Sequence, residues 1–295
     1  MSAAGGRWAR VLLFVVPALW STNYWIARLA DGLIGPHALA LGRWLLAGLL
    51  LLPFAWRPLV ERRAAWRREW GQLVVLGTLG MYICGAWVYI AGQTTSSANI
   101  AIIYAITPVA IAAAGAWLLH EPLKAAQKWG IGLALAGTLF VIARGDPAVL
   151  LGMRLVAGDL WIVAAAASWT AYSVLLRKWP SALGPLERLV AIIGGGLVLL
   201  VPGAVVEALA TPQPPLGAAA AGLVVLAALA PGVLSYAAYA FLQREFGAAR
   251  TALMLYLAPV YGAVGAWFVL GERPGWHHAV GAALILPSIW LATRR

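Results

Sequence analysis

Trp20, Asn23 and Tyr24 share one face of an apolar stretch, and Trp169, Tyr172 and Ser173 share one face of another. Side chains at this spacing lie above one another on a helix. Tyr82 and Tyr89, with Gly85 between them, form a third such face, and Tyr236 and Tyr239 form a fourth. Tyr and Trp join a flat apolar surface to a hydrogen-bonding edge, which suits a wet cavity inside an apolar surround. They stack on an apolar side chain or hold an ammonium by cation–π attraction. The plainer use of the same residues is helix packing or an interfacial belt, as for Trp56, Trp66, Trp70, Trp129, Trp161, Trp179 and Trp276 at segment ends.

Arg43 is the charge that lies well inside an apolar segment. Burying a guanidinium is costly unless it is paired, faces water or snorkels to the interface. It lies about 10 Å from the start of its segment at helical rise. Snorkelling and a fixed cation that attracts a substrate carboxylate or phosphate are both open. Asn99 opens a later segment and either holds a helix end or joins the binding group. All 10 acids lie at or near segment ends. A proton-coupled cation exporter needs a midplane carboxylate, so multidrug-cation export is disfavoured. His37, His120, His277 and His278 also sit at segment ends, and HExxH, GxSxG and GxxxxGK[ST] are absent. An enzyme is therefore not expected, nor is a metal or cofactor. The single Cys84 excludes an internal disulfide.

These residues sit on elements that composition identifies. Hydrophobic residues make up 63% of the 295, charged residues 11%, and mean hydropathy is +0.85. A soluble chain of this length needs far more charge at its surface. Apolar runs near or above ~18 residues mark membrane helices. They predict ten spans, near 9–29, 36–55, 71–91, 97–119, 126–143, 156–176, 184–206, 217–241, 249–270 and 277–292. The first is not expected to be a cleaved leader, since Trp20 to Trp25 continue the helix.

Net charge is +11, but its distribution reflects topology rather than nucleic-acid binding. With the N-terminus in the cytoplasm, sixteen of the 21 Lys and Arg face inward. Four (Arg28, Arg144, Arg154 and Arg273) face outward, and Arg43 is the remainder. That bias places both termini in the cytoplasm. The run from Arg62 to Arg68 meets anionic headgroups.

A shift of 149 residues lays Trp20 on Trp169, Arg28 on Arg177, Pro36 on Pro185 and Pro53 on Pro202. A shift of 151 lays Pro108 on Pro259, Glu121 on Glu272 and Gly130 on Gly281. These collinear matches divide the chain into five-helix repeats, 1–146 and 147–295, at Arg144-Gly145-Asp146-Pro147. An odd number of spans inverts the second copy. Inverted repeats build alternating-access carriers with a midplane site.

The strings Ala-Ile-Thr-Pro-Val (105–109) with His120-Glu121-Pro122-Leu123, and Leu257-Ala258-Pro259-Val260 with Glu272, resemble the EamA repeats of the drug/metabolite transporter superfamily. The resemblance covers essentially the whole chain. It implies a 5+5 inverted-repeat fold around a central cavity formed mainly by helices 1, 3, 4, 6, 8 and 9. The aromatic density is most similar to the YddG-type amino-acid exporters.

Pro108 and Pro259 interrupt corresponding helices and are expected to act as hinges or as static kinks. Pro231-Gly232, paired with Gly80, is a further flexible place. Glu121 and Glu272 are expected to meet the free N–H groups opening the next helix, or to couple protons. The function expected is a carrier of amino acids, aromatic or large neutral ones preferred. Rival readings are a carrier of another metabolite or organic anion, a multidrug exporter, and a non-transporting scaffold. The setting expected is a monomer in a bacterial inner-membrane bilayer, with a small-molecule substrate and no nucleic acid. The candidate binding group is Trp20, Asn23, Tyr24, Arg43, Tyr82, Tyr89, Asn99, Trp169, Tyr172, Tyr236 and Tyr239.

Overall fold

The structure, a computed structural model, describes residues 3–95, 97–152, 154–270 and 275–293. Glu272, Arg273, Arg294 and Arg295 lie outside the described residues, as do the side chains of Tyr24 and Arg28. Every regular element described is helical. The first half of the chain forms α1 (Ala3–Leu29), α2 (Pro36–Glu61), α3 (Arg63–Gly92), α4 (Ser97–Ala105 and Thr107–Leu118) and α5 (Ala125–Ile142). A short turn at Ala148–Leu151 precedes α6 (Ala157–Lys178), α7 (Pro185–Ala210) and α8 (Ala218–Phe246). The last rods are α9 (Ala248–Ala252, Leu253–Leu257 and Ala258–Leu270) and α10 (Trp276–Thr293). Among the described residues, 7 helices are long and apolar enough to cross a membrane. Side chains such as Phe54, Trp117 and Phe268 stand fully outward on the bundle, as lipid-facing residues do.

Several rods outrun their apolar cores. α2 continues past residue 55 to Glu61, and α3 begins at Arg63 rather than near residue 71. Arg and Glu are good helix formers, so the basic run extends the rod into the aqueous layer instead of forming a loop. Pro53 lies inside α2 and Pro202 inside α7.

Two pairs of breaks position the site. α4 is interrupted at Ile106, just before Thr107-Pro108, and α9 tightens to a 3₁₀ turn over Leu253–Leu257, just before Pro259. Proline lacks the N–H that the preceding turn requires, so the helix breaks where the sequence says it should. The second pair is a finding of the structure. α3 widens to a π-helix over Thr78–Ile83, and α8 does so over Ala228–Leu234. These segments hold Gly80 and Pro231, which fall on each other under the same shift that pairs Pro108 with Pro259. A π turn leaves carbonyls out of the regular ladder, often at functional sites.

Small residues allow the closest packing. A Cβ on Gly77 would sit 2.1 Å from the Gly196 nitrogen, so α3 and α7 touch backbone to backbone. A Cβ on Gly281 would meet Val141 at 2.0 Å where α10 lies on α5. Close backbone approach of this kind replaces the hydrophobic effect as the packing force within lipid.

A candidate substrate cavity

The freed carbonyls of the π segments receive donors from the other half of the chain. Ser168 Oγ donates to the Leu79 carbonyl at 2.8 Å, and Tyr236 Oη donates to the Gly80 carbonyl at 2.8 Å. The Pro231 carbonyl accepts from Trp20 Nε1 at 3.2 Å and from Arg43 Nη2 at 2.7 Å. Each bulge is thus satisfied across the interface between α1–α3 and α6–α8.

Beside them opens a cavity of about 1780 Å³. Trp20 and Asn23 of α1, Tyr82 and Tyr89 of α3, Trp169 of α6 and Tyr236 of α8 line it, with Arg43 of α2. Pro108 and Pro259 line it too. α2 and α7 add more wall than the resemblance implied, through His37, Arg43, Pro202 and Glu207, whereas α6 and α8 contribute one residue each. Repeat mates Trp20 and Trp169 meet edge to face with centroids 5.1 Å apart, and Tyr236 stands 5.6 Å from Trp169. Tyr89 Oη donates to Asn23 Oδ1 at 2.6 Å.

Three of the candidate residues belong elsewhere. Tyr172 stacks behind Trp169 at 5.1 Å, and Tyr239 is held by Ser173 at 2.8 Å. Both are buried and absent from the cavity wall, because one helical face shows direction but not depth. Asn99 donates to Asp159 Oδ2 at 2.9 Å and to the Arg154 carbonyl at 3.0 Å. Thr95 Oγ1 also donates to Asp159, which accepts the Val156 N–H at 2.8 Å, so this cluster fastens the start of α6. Tyr24 lies in α1, but its side chain is outside the described structure.

Arg43 does not snorkel. Its residue is 4% exposed, and its guanidinium lies 4.6 Å from the centre of the Trp44 ring. The Pro231 carbonyl and, more distantly, Asn23 Oδ1 at 3.5 Å turn it inward. Its Nε is buried without a partner, and so is Trp169 Nε1. Among the described residues Arg43 has no carboxylate partner.

The cavity opens at one end of the bundle, among the α1–α2, α3–α4 and α7–α8 connections. There Glu207, near the end of α7, accepts the N–H groups of His37 and Ala38 at 3.1 Å and meets His37 Nδ1 at 3.1 Å. Glu207 therefore caps α2, whose own N-cap, Gly35, has no side chain to do so. Sequence reading left both residues at segment ends; the uncapped Gly35-Pro36 start is the signal that points to a cap from elsewhere.

The opposite end is shut. Arg177 Nε meets Glu121 Oε1 at 3.2 Å, and Gln243 Nε2 donates to the Ser173 carbonyl at 3.1 Å. Glu121 thus pairs with α6 rather than serving the next helix. The Gln127 side chain takes that place, accepting the Lys124 N–H at 2.8 Å.

A lipid-embedded helical bundle with one deep, one-sided cavity is the form of a membrane carrier. The profile of the EamA-like transporter family matches residues 7–143 and 156–294. The chain belongs to that family, within the drug/metabolite transporter superfamily. An uncharacterized transporter of Archaeoglobus fulgidus is 23% identical over 97% of both chains. The uncharacterized transporter YyaM of Bacillus subtilis is 26% identical over 91% of this chain and 88% of its own. An S-adenosylmethionine/S-adenosylhomocysteine transporter of Chlamydia muridarum is 24% identical over 92% of this chain and 87% of its own. A solved crystal structure shares the fold, with a TM-score of 0.77 at 20% identity over 97% of this chain and 96% of that one. The protein is a multi-pass membrane transporter and not an enzyme.

Proposed function

We propose that this transporter carries amino acids, with aromatic or large neutral side chains preferred. The observation that carries the reading is Arg43: a buried guanidinium at the cavity wall, with no carboxylate partner among the described residues, beside the Trp20–Trp169–Tyr236 cluster. An intramembrane cation of this kind calls for an anionic partner, and a substrate carboxylate supplies it. The aromatic wall takes the apolar side chain, with a gain of about 25 cal/mol per Å² removed from water. The hydroxyl oxygens of Tyr82, Tyr89 and Tyr236 remain to accept from the ammonium. The likeness in aromatic density to YddG-type exporters supports the same class.

The proposed architecture is ten spans in two inverted repeats, 1–146 and 147–295, with both termini cytoplasmic in a bacterial inner membrane. The carrier works as a monomer by alternating access. In that topology the open cavity faces outward, and the Glu121–Arg177 end faces the cytoplasm. A reporter fused after Arg295 that is active in the periplasm would refute the even span count.

One further substrate has an observation behind it. S-adenosylmethionine is an amino acid bearing an aromatic base, and a relative covering 92% of this chain is named for it. Purified protein in liposomes should exchange labelled Phe, Trp or Met without an imposed pH gradient, and S-adenosylmethionine belongs in the same panel. Uptake only with a proton gradient would refute facilitated exchange. Competition by organic phosphates but by no amino acid would refute the substrate class.

A further inference from the structure

A second cavity, of about 350 Å³, lies on the outer flank where α2, α3 and α7 meet. Indole and aliphatic side chains form its walls, with Trp56, Trp66 and Trp70 the largest, and Arg63 and Arg67 stand at its rim. Its floor includes Gly194, the first of three consecutive glycines in α7. A Cβ on Gly195 would lie 2.5 Å from the Leu73 carbonyl oxygen, and one on Gly196 would lie 2.7 Å from Met81 Cβ. Those two glycines are required by the approach of α3. Gly194 is different: a Cβ there meets nothing within 4 Å. Its lack of a side chain leaves a slot open that none of the described helices fills.

Arg63 and Arg67 are exposed and lie one turn apart on α3, where like charges repel. Neither has an ion pair among the described residues. Glu69 is engaged by Ser181 Oγ at 2.5 Å and the Ala182 N–H at 2.8 Å. Arg67 lies over the Trp66 ring at 5.8 Å. Tryptophans at this density mark the headgroup boundary.

We infer that this groove is a binding site for one anionic phospholipid, its phosphate shared by Arg63 and Arg67 and an acyl chain lying in the slot above Gly194. A free phosphate would satisfy the two guanidinium groups and leave the apolar slot unfilled. A zwitterionic lipid would fill the slot but set its own ammonium beside two guanidinium groups. An anionic lipid answers both. The inference is independent of the transported substrate.

The test is competition in mixed micelles of phosphatidylglycerol and phosphatidylcholine at equal concentration, with lipid retained by the intact full-length protein read by native mass spectrometry. Phosphatidylglycerol should be retained in preference. Arg63→Gln with Arg67→Gln should weaken its retention by roughly tenfold or more. Gly194→Leu, which keeps both charges and fills the slot, should also release it, with an unchanged melting temperature as the control for folding. Equal retention of the two lipids would overturn the site in favour of ordinary annular lipid. Retention unchanged in both variants would place the lipid elsewhere and overturn it too. A dimer that either variant dissolves would assign the groove to a second copy instead.

Discussion

The Arg43 guanidinium in α2 donates to the Pro231 carbonyl in α8 at 2.7 Å, joining two residues 188 positions apart. That carbonyl is available because α8 is π-helical there. The bond holds the charge in place without neutralising it, so the cavity has a fixed cation poised for an incoming anion. On the function proposed above, substrate recognition and the contact between the two halves of the chain share one side chain.

Arg43→Met should reduce amino-acid exchange by about tenfold to a hundredfold, the range for losing a charged hydrogen bond. Thermal stability should hold or rise, because an apolar residue of similar length replaces a lone buried ion. Arg43→Lys keeps the charge but loses the planar fork, and its exchange should fall between the two. Wild-type exchange by the Met variant would remove Arg43 from the site.

Trp169→Ala should weaken aromatic amino acids by roughly tenfold, the loss expected for one buried ring face. Small amino acids should lose less. Tyr172→Phe should leave both unchanged, since that ring packs behind Trp169 and not on the cavity. Competition assays with Phe and Ala would read both variants, and equal losses for the two ligands in Trp169→Ala would make that residue a packing element.

Pro108→Ala and Pro259→Ala should each restore a backbone donor at a helix break and slow exchange while the protein stays folded. Stopped-flow or tracer counterflow gives the rate, and size-exclusion chromatography the fold. Unchanged rates in both variants would reduce the two breaks to packing features.

Cys84 is the single cysteine and lines the cavity, with Sγ 3.9 Å from Tyr104 Oη. A membrane-impermeant thiol reagent should label it from the open end, and bound substrate should slow that labelling. Glu121→Gln should raise labelling from the closed end by less than about fivefold, since a part-exposed ion pair is worth at most ~1 kcal/mol. Labelling at equal rates from both faces in the unmodified protein would contradict a one-sided cavity.

Proline breaks were legible in the sequence because their cause is local: Pro108 and Pro259 forbid a bond whatever surrounds them. The π segments were not, since a π turn has no residue code of its own. Its carbonyls are satisfied by Ser168, Trp20 and Tyr236, which lie far off in the chain. Helical spacing placed Trp20, Asn23 and Trp169 toward the cavity, but it could not show that Tyr172 and Tyr239 stop one layer short. Distance from a helix end leaves Arg43 free to snorkel, and the Pro231 carbonyl, Asn23 Oδ1 and the Trp44 ring turn it inward. Glu121 illustrates the same limit: its partner, Arg177, comes from another helix.

The repeat mate of Arg43 is Ile192, so the second half has no matching charge to balance the first. A carrier that exchanges an outer for an inner vestibule around a lone cation shifts that cation within the transmembrane electric field. A full traverse is worth about 2.3 kcal/mol per 100 mV for one charge. With the cell interior negative, the voltage favours the state in which Arg43 meets the cytoplasmic vestibule, and a bound monoanion cancels the bias. In the proposed alternating-access cycle, the likeness of the two halves is therefore broken electrically at one residue, and the resting potential sets which way the empty carrier leans.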